Sequence, residues 1–139
     1  MDTNNVATII IRNAQGEYFA HQRSAQKKSF PNMYGLGAGG HIKAGESPAA
    51  AAKRELFEET GVVGDPLFLF AIPFEAYGSN YTVNVCEVEV NGEIHPDKHE
   101  WQWSGWLSGE EVDELLAQDK LAGETAVFYQ KYKSMAGRK

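Results

Sequence analysis

Three glutamates have the spacing of one face of a helix. Glu55, Glu58 and Glu59 are related as i, i+3 and i+4, which places neighbouring Cβ atoms roughly 5–6 Å apart on a helix. A solvated charged face is the ordinary reason for such a cluster, because charged side chains are mostly exposed. Here no cation follows four residues after any of the three. The cluster therefore favours a site for hard divalent cations, which bind carboxylate oxygens together with water and substrate phosphates.

The residues around the cluster predict the helix that carries it. Ser47 is a good N-cap, and Pro48 suits the first helical position because its missing N–H has no partner there. Gly61 stands where helices end in a left-handed residue. The sequence therefore predicts a helix of about three turns between Ser47 and Gly61.

A basic residue lies within the acidic cluster. Arg54 stands one turn before Glu58 and is in a position to form an ion pair with it. Glu46, just before the helix, is a second possible partner for the guanidinium. A glycine-rich segment, predicted to be a turn from Gly35 to Gly40, leads into the acidic segment.

The stretch from Gly40 to Val62 resembles the Nudix box: a glycine, five residues, a glutamate, seven residues, then Arg-Glu-aliphatic-any-Glu-Glu-any-Gly-aliphatic. Every defined position is matched, by Gly40, Glu46, Arg54, Glu55, Leu56, Glu58, Glu59, Gly61 and Val62. The resemblance implies an α/β fold, a Nudix-type α/β/α sandwich with a mixed β-sheet, as a single domain over residues 1–139. It also implies a magnesium-dependent hydrolase of diphosphate linkages.

The same resemblance implies roles for individual residues. Glu55, Glu58 and Glu59 would bind Mg²⁺, or Mn²⁺, with help from the backbone carbonyl of Gly39. Arg54 would act at the catalytic centre, and Arg54 and Glu46 would orient the ligand carboxylates.

The general base is left open between three glutamates, Glu58, Glu59 and Glu100. Glu100 precedes a tryptophan-rich strand, a place from which an acidic residue in the family often reaches the metals. The alternative is that Glu100 is a solvent-exposed loop acid, and His99 stands beside it.

Arg23, Lys27 and Lys28 form a small basic cluster before the acidic helix. Lysines in a surface loop are commonplace. The functional hypothesis is that one or more of the three hold or steer a substrate phosphate.

A second resemblance, to the subgroup related to isopentenyl diphosphate isomerase, rests on Gln22-Arg23, a following lysine, Phe30-Pro31 and the GGH of residues 39–41. Those isomerases use a cysteine just ahead of the glycine-rich segment. This chain has no cysteine there, and its one cysteine, Cys86, lies in a later predicted strand. We therefore expect metal-dependent hydrolysis and expect Cys86 to be a small buried apolar side chain.

The remaining chain predicts the elements that position the site. Apolar and β-branched runs predict strands over residues 6–12, 17–23, 67–75 and 80–90, and a further strand follows Glu100. A shift in alternation predicts a bulge near Cys86, and Pro73 indicates an edge position or a bulge. Residues 24–35 are a predicted loop. A capping box at Ser108 predicts a helix over 108–118, and a last helix is expected over 124–135.

Composition limits the function classes. The 139 residues are 42% hydrophobic and 23% charged, as in an ordinary globular domain. A net charge of −6 argues against a nucleic-acid partner. No signal peptide or membrane span is evident, and one cysteine suggests a reducing compartment, so we expect a cytoplasmic monomer or homodimer.

Two questions stay open from the sequence. The first is the substrate, which we expect to be a nucleoside diphosphate linked to another moiety or a related organic diphosphate. The second is whether the chain cleaves its ligand, because some domains of this kind only bind nucleotides or sugar nucleotides.

Overall fold

The computed structural model describes residues 4–96 and 101–135. The strands are β1 (Asn5–Arg12), β2 (Tyr18–Arg23), β3 (Tyr34–Leu36), β4 (Ala38–His41), β5 (Leu67–Ala76), β6 (Ser79–Glu89) and β7 (Trp101–Leu107). The helices are α1 (Pro48–Thr60), α2 (Gly109–Ala117) and α3 (Gly123–Ser134). No helix within these ranges is long and apolar enough to cross a membrane.

The sheet is mixed, as expected. Strand β1 pairs in parallel with β6 and antiparallel with β2 and β4. Strand β5 pairs antiparallel with β6 and lies at an edge, which explains how Pro73 is accommodated. Strand β7 pairs antiparallel with β2.

The helices cover both faces of the sheet and complete an α/β/α sandwich. Ala51, Ala52 and Leu56 of α1 pack against one face. Val112 of α2 and Phe128 of α3 pack against the other. The central strand β1 is buried on both sides, which is why its sequence is apolar without alternation.

The predicted turn from Gly35 to Gly40 is wrong. Residues 34–36 pair with β2, and residues 38–41 pair with β1, so the segment forms two short strands. Gly37 separates them with a φ of 67°. The predicted loop over residues 24–35 accordingly ends two residues early, at Met33.

A register irregularity lies beside Cys86, as predicted: Phe68 pairs with Cys86 and Phe70 with Val85, so the extra residue is in β5. The shifted alternation within β6 also reflects the burial of both its faces. Val83 and Val85 face α2 and α3, whereas Cys86 faces α1, so both sides of β6 are buried.

Candidate active site

Helix α1 has both predicted caps. The Ser47 hydroxyl accepts a hydrogen bond from the Ala50 amide at 3.1 Å. Gly61 adopts φ 75°, and its amide donates to the Phe57 carbonyl at 2.9 Å. The helix therefore begins and ends where the sequence predicts, which fixes the positions of the glutamates along its axis.

Arg54 gathers the acidic residues around one guanidinium. Its Nε donates to Glu46 Oε2 at 2.7 Å, and its Nη2 donates to Glu46 Oε1 at 3.0 Å, a bidentate pair. Its Nη1 donates to Glu55 at 2.9 Å and to Glu58 at 3.4 Å. A further bond to the His41 carbonyl, at 3.0 Å, ties the guanidinium to β4.

This pairing keeps both main partners ionised. The hydrogen bond from Arg54 lowers the pKa of Glu46 from 4.5 to about 2. The bond to Glu46 in turn raises the pKa of Arg54. Glu46 therefore remains a carboxylate throughout the neutral range, where it fixes the direction of the Arg54 side chain.

Glu59 occupies a different environment from Glu58. It is buried, with 3% of its surface exposed, and its Oε1 accepts a hydrogen bond from the Gly39 amide at 3.3 Å. The Glu58 side chain is 52% exposed. The structure thus brings Glu59 together with the Gly39 amide and leaves Glu58 at the surface of the same helix.

The glycines of β4 allow this close approach. A Cβ atom built on Gly40 would overlap the carboxylate of Glu55. One built on Gly39 would overlap the Ala7 carbonyl of the neighbouring strand. The strand therefore presents bare backbone to the acidic face of α1.

The donor set suits a hard divalent cation. Glu46, Glu55 and Glu58 contact one guanidinium, and Glu59 lies on the same helix as Glu55 and Glu58. Four acidic groups against one positive group leave an excess of three negative charges when all are ionised. Carboxylate oxygens are the ligands that Mg²⁺ and Mn²⁺ prefer.

The carboxylates do not converge on one point in this arrangement. Within residues 4–96 and 101–135, no three acidic, histidine or cysteine side chains surround a common centre. Glu55 and Glu58 accept hydrogen bonds from Arg54, whereas Glu59 accepts one from the Gly39 amide. Ligation of one ion by all three glutamates would therefore require their side chains to rearrange.

A cleft of about 350 Å³ opens beside this acidic face. Glu59, Gly39 and Gly40 form one part of its lining, and Arg23 lines it as well. Residues of the β5–β6 hairpin and of the start of α3 also line the cleft. Aromatic and polar side chains lining it include Phe30, Tyr77, Tyr81, Trp101, Glu124 and Thr125.

The three residues of the predicted basic cluster do not all lie at the cleft. Arg23 lines the cleft, whereas Lys27 and Lys28 are not among its lining residues. Lys28 is exposed on the loop that follows β2. Glu100 and His99 lie outside the described residues, so the predicted role of Glu100 stays a prediction.

Several cleft residues carried no readable signal in the sequence. The Tyr81 hydroxyl donates to Glu124 at 2.6 Å, and burial raises the pKa of Tyr81. The ring of His21 stacks on that of Trp101 with centroids 4.2 Å apart, and His21 lies in the cleft lining. These contacts join distant segments, so neither periodicity nor motif spacing indicates them.

Cys86 is buried, as predicted. Its exposed fraction is 0%, and it packs in the core beneath α1. Desolvation raises the pKa of its thiol to about 11. It does not line the cleft, so the position offers no counterpart to the cysteine of the isomerases.

Residues 2–132 match the NUDIX domain family model. An uncharacterised Nudix hydrolase from Streptomyces coelicolor is 33% identical over 129 residues, covering 91% of this chain and 71% of the relative.

Two solved structures share the fold. A MutT protein from Methanosarcina mazei superposes with a TM-score of 0.76 at 22% identity, covering 92% of this chain and 91% of that one. The NUDIX domain of Shewanella oneidensis NrtR, complexed with ADP ribose, gives 0.73 at 18% identity, covering 94% and 86%.

Proposed function

The chain belongs to the Nudix hydrolase family, and from this we propose that it hydrolyses the diphosphate linkage of a nucleoside diphosphate joined to another moiety, or of a related organic diphosphate, with Mg²⁺ or Mn²⁺. Family membership places it among hydrolases of phosphorus-containing substrates. ADP ribose, the ligand of the NrtR domain, contains such a linkage.

The observation that carries the proposal is the position of Glu59. This buried carboxylate lies where the acidic helix, the Gly39 amide and the cleft meet. Burying a carboxylate is costly unless it is hydrogen-bonded or coordinates a metal. Its place in the cleft lining indicates a role toward a ligand.

Individual residues of the chain have separate proposed roles in the reaction. Glu55, Glu58 and Glu59 would hold the divalent ion, and the Gly39 carbonyl would assist. Arg54 and Glu46 position these carboxylates through the contacts described above. When bound, the ion would offset phosphate charge and make water a better nucleophile. Glu58, Glu59 or Glu100 would take the proton from that water.

A substrate panel tests the activity. The chain is incubated with Mg²⁺ and nucleoside triphosphates, sugar nucleotides, dinucleotides or isoprenoid diphosphates, and products are separated by anion exchange. We expect at least one diphosphate to be cleaved and the reaction to stop when the cation is chelated. Tight binding without products across the panel would instead identify a nucleotide-binding domain. Isomerisation of an isoprenoid diphosphate would contradict hydrolysis.

Glu59→Gln tests the residue. We expect turnover to fall by about 100-fold or more, since the loss of a group acting in proton transfer or at the metal has effects of that size. The matched control is Glu110→Gln, the same change on the exposed start of α2. Near-normal turnover of Glu59→Gln at saturating Mg²⁺ would contradict the proposed role.

A further inference from the structure

The loop between β2 and β3 is closed at its base next to Arg23. The Arg23 amide donates to the Met33 carbonyl at 2.8 Å, and the Asn32 amide donates to the Arg23 carbonyl at 3.2 Å. Residues 24–33 therefore form a loop whose two ends are hydrogen-bonded to each other beside the sheet. A side chain within this loop is in reach of the arginine that lines the cleft.

Ser29 is that residue. Arg23 Nε donates to the Ser29 carbonyl at 3.0 Å, and Arg23 Nη2 donates to the Ser29 hydroxyl at 3.0 Å. A guanidinium has five N–H donors in one plane, and Ser29 takes the pair along its Nε–Nη2 edge. Within the described residues, Arg23 side-chain donors make no other hydrogen bond.

The remaining edge of Arg23, formed by Nη1 and Nη2, suits an anion in the cleft. Two parallel N–H groups bind two oxygens of one phosphate or carboxylate. Among the described lining residues, the carboxylates are Glu59 and Glu124. Glu59 accepts from Gly39 and Glu124 accepts from Tyr81, and among the described residues neither shares a hydrogen bond with Arg23.

The residue that follows Ser29 holds the loop in place. Phe30 packs edge-on against Tyr77 with ring centroids 5.1 Å apart, and its amide donates to the Tyr77 hydroxyl at 3.3 Å. Gly123 lies so close that a Cβ there would come within 2.8 Å of the Phe30 ring. Ser29 is thus anchored against two other segments of the chain.

We propose that Ser29 is a positioning residue: it occupies one edge of the Arg23 guanidinium so that the other edge grips two oxygens of one substrate phosphate. This inference rests on the proposed function, because it requires a diphosphate in the cleft. Lysine cannot replace Arg23 in this role, since its ammonium has no planar pair of donors.

Binding of inorganic pyrophosphate in the presence of Mg²⁺, measured by calorimetry, tests the proposal directly. Ser29→Ala removes the hydroxyl that holds Nη2, and we expect the Kd to rise about fivefold, the usual effect of losing one such hydrogen bond. Ser29→Thr keeps the hydroxyl and should restore the affinity. The control is Ser24→Ala, which deletes a hydroxyl bonded to the Gln26 amide in the same loop.

The outcomes separate the two proposals. Equal affinity of wild type and Ser29→Ala, an equal loss in Ser24→Ala, or no pyrophosphate binding by the wild type would each overturn the positioning role. If the wild type cleaves nothing on the substrate panel but Ser29→Ala alone weakens pyrophosphate binding, the hydrolytic proposal fails and the role of Ser29 stands.

Kinetics supply a second readout when a substrate is found. If Ser29→Ala weakens the binding of the phosphate by Arg23, KM should rise by a similar factor for every diphosphate cleaved, because all these substrates share the phosphate. A change that varies with the rest of the substrate would show that Ser29 shapes another part of the cleft, which would also overturn the proposal.

Discussion

At the scale of single residues, one guanidinium organises the acidic site. Arg54 contacts Glu46, Glu55 and Glu58, and the sequence predicts two of these contacts from helical spacing and proximity. Which carboxylate is buried was not predictable in the same way. The burial of Glu59 depends on β4, a strand whose place is fixed by pairing with distant β1.

The Glu46–Arg54 pair gives a pH-dependent stability. The folded-state pKa of Glu46 is about 2, below the ordinary value of 4.5. The contribution of the ionised Glu46 to the free energy of unfolding is therefore fully present above about pH 4.5 and is lost as the pH falls toward 2. We expect Glu46→Gln to destabilise the protein at pH 6 and to have a diminishing effect on acidification.

The measurement is urea unfolding of wild type and variant between pH 6 and pH 3. Glu75→Gln, the same substitution at an exposed position of β5, serves as the control. Its effect on the free energy of unfolding should change little with pH. A Glu46→Gln penalty that stays constant or grows on acidification would contradict the assigned pKa direction.

At the scale of elements, the sequence predicts helix ends correctly where capping residues act on the neighbouring backbone. It does not predict strands that form by pairing with distant segments. Caps determined the bounds of α1, because Ser47 and Gly61 act on the backbone beside them. The capping box of α2 was also predicted, and Ser108 and Glu111 exchange both of its hydrogen bonds. The strands at Gly35–Gly40 were missed, because small residues carry no strand signal and partners on β1 and β2 decide their conformation.

Two glycines of left-handed conformation should respond differently to alanine. Gly61 has φ 75° and open space where a Cβ would stand, so Gly61→Ala should cost about 1–2 kcal/mol from backbone strain alone. Gly37 has φ 67°, and its Cβ would overlap the Ile9 carbonyl in the central strand. We expect Gly37→Ala to cost much more and to prevent native folding.

Urea titration followed by circular dichroism compares the two variants. Equal destabilisation would show that strain alone acts at both positions and that β1 moves away from Gly37 without cost.

At the scale of the whole molecule, the α/β/α sandwich was predicted, because the Nudix box implies that fold and the strand and helix order agrees with it. The cleft was not predictable, since its walls come from segments far apart in the chain. Only the tertiary arrangement shows that Arg23, Glu59 and Glu124 share one cavity.

Divalent cations should stabilise the folded chain as a whole. A ligand that binds only the native state adds about 2.7 kcal/mol at a concentration of 100 times its Kd. We expect the Tm to rise on addition of Mg²⁺ or Mn²⁺ and to return after chelation. Glu59→Gln should show a smaller rise, whereas Glu110→Gln should behave like the wild type. An unchanged wild-type Tm over a wide range of Mg²⁺ would contradict the metal site.

The lining of the cleft runs from Val6 in the first strand to Phe128 in the last helix. Synthesis on the ribosome proceeds from the N-terminus, so the acidic helix emerges well before Glu124 and Thr125, which line the same cleft. A nascent chain that already carries every glutamate of α1 still lacks part of the chamber in which they would act. We therefore expect a chain truncated before α3 to retain the acidic segment and to lack a complete cleft.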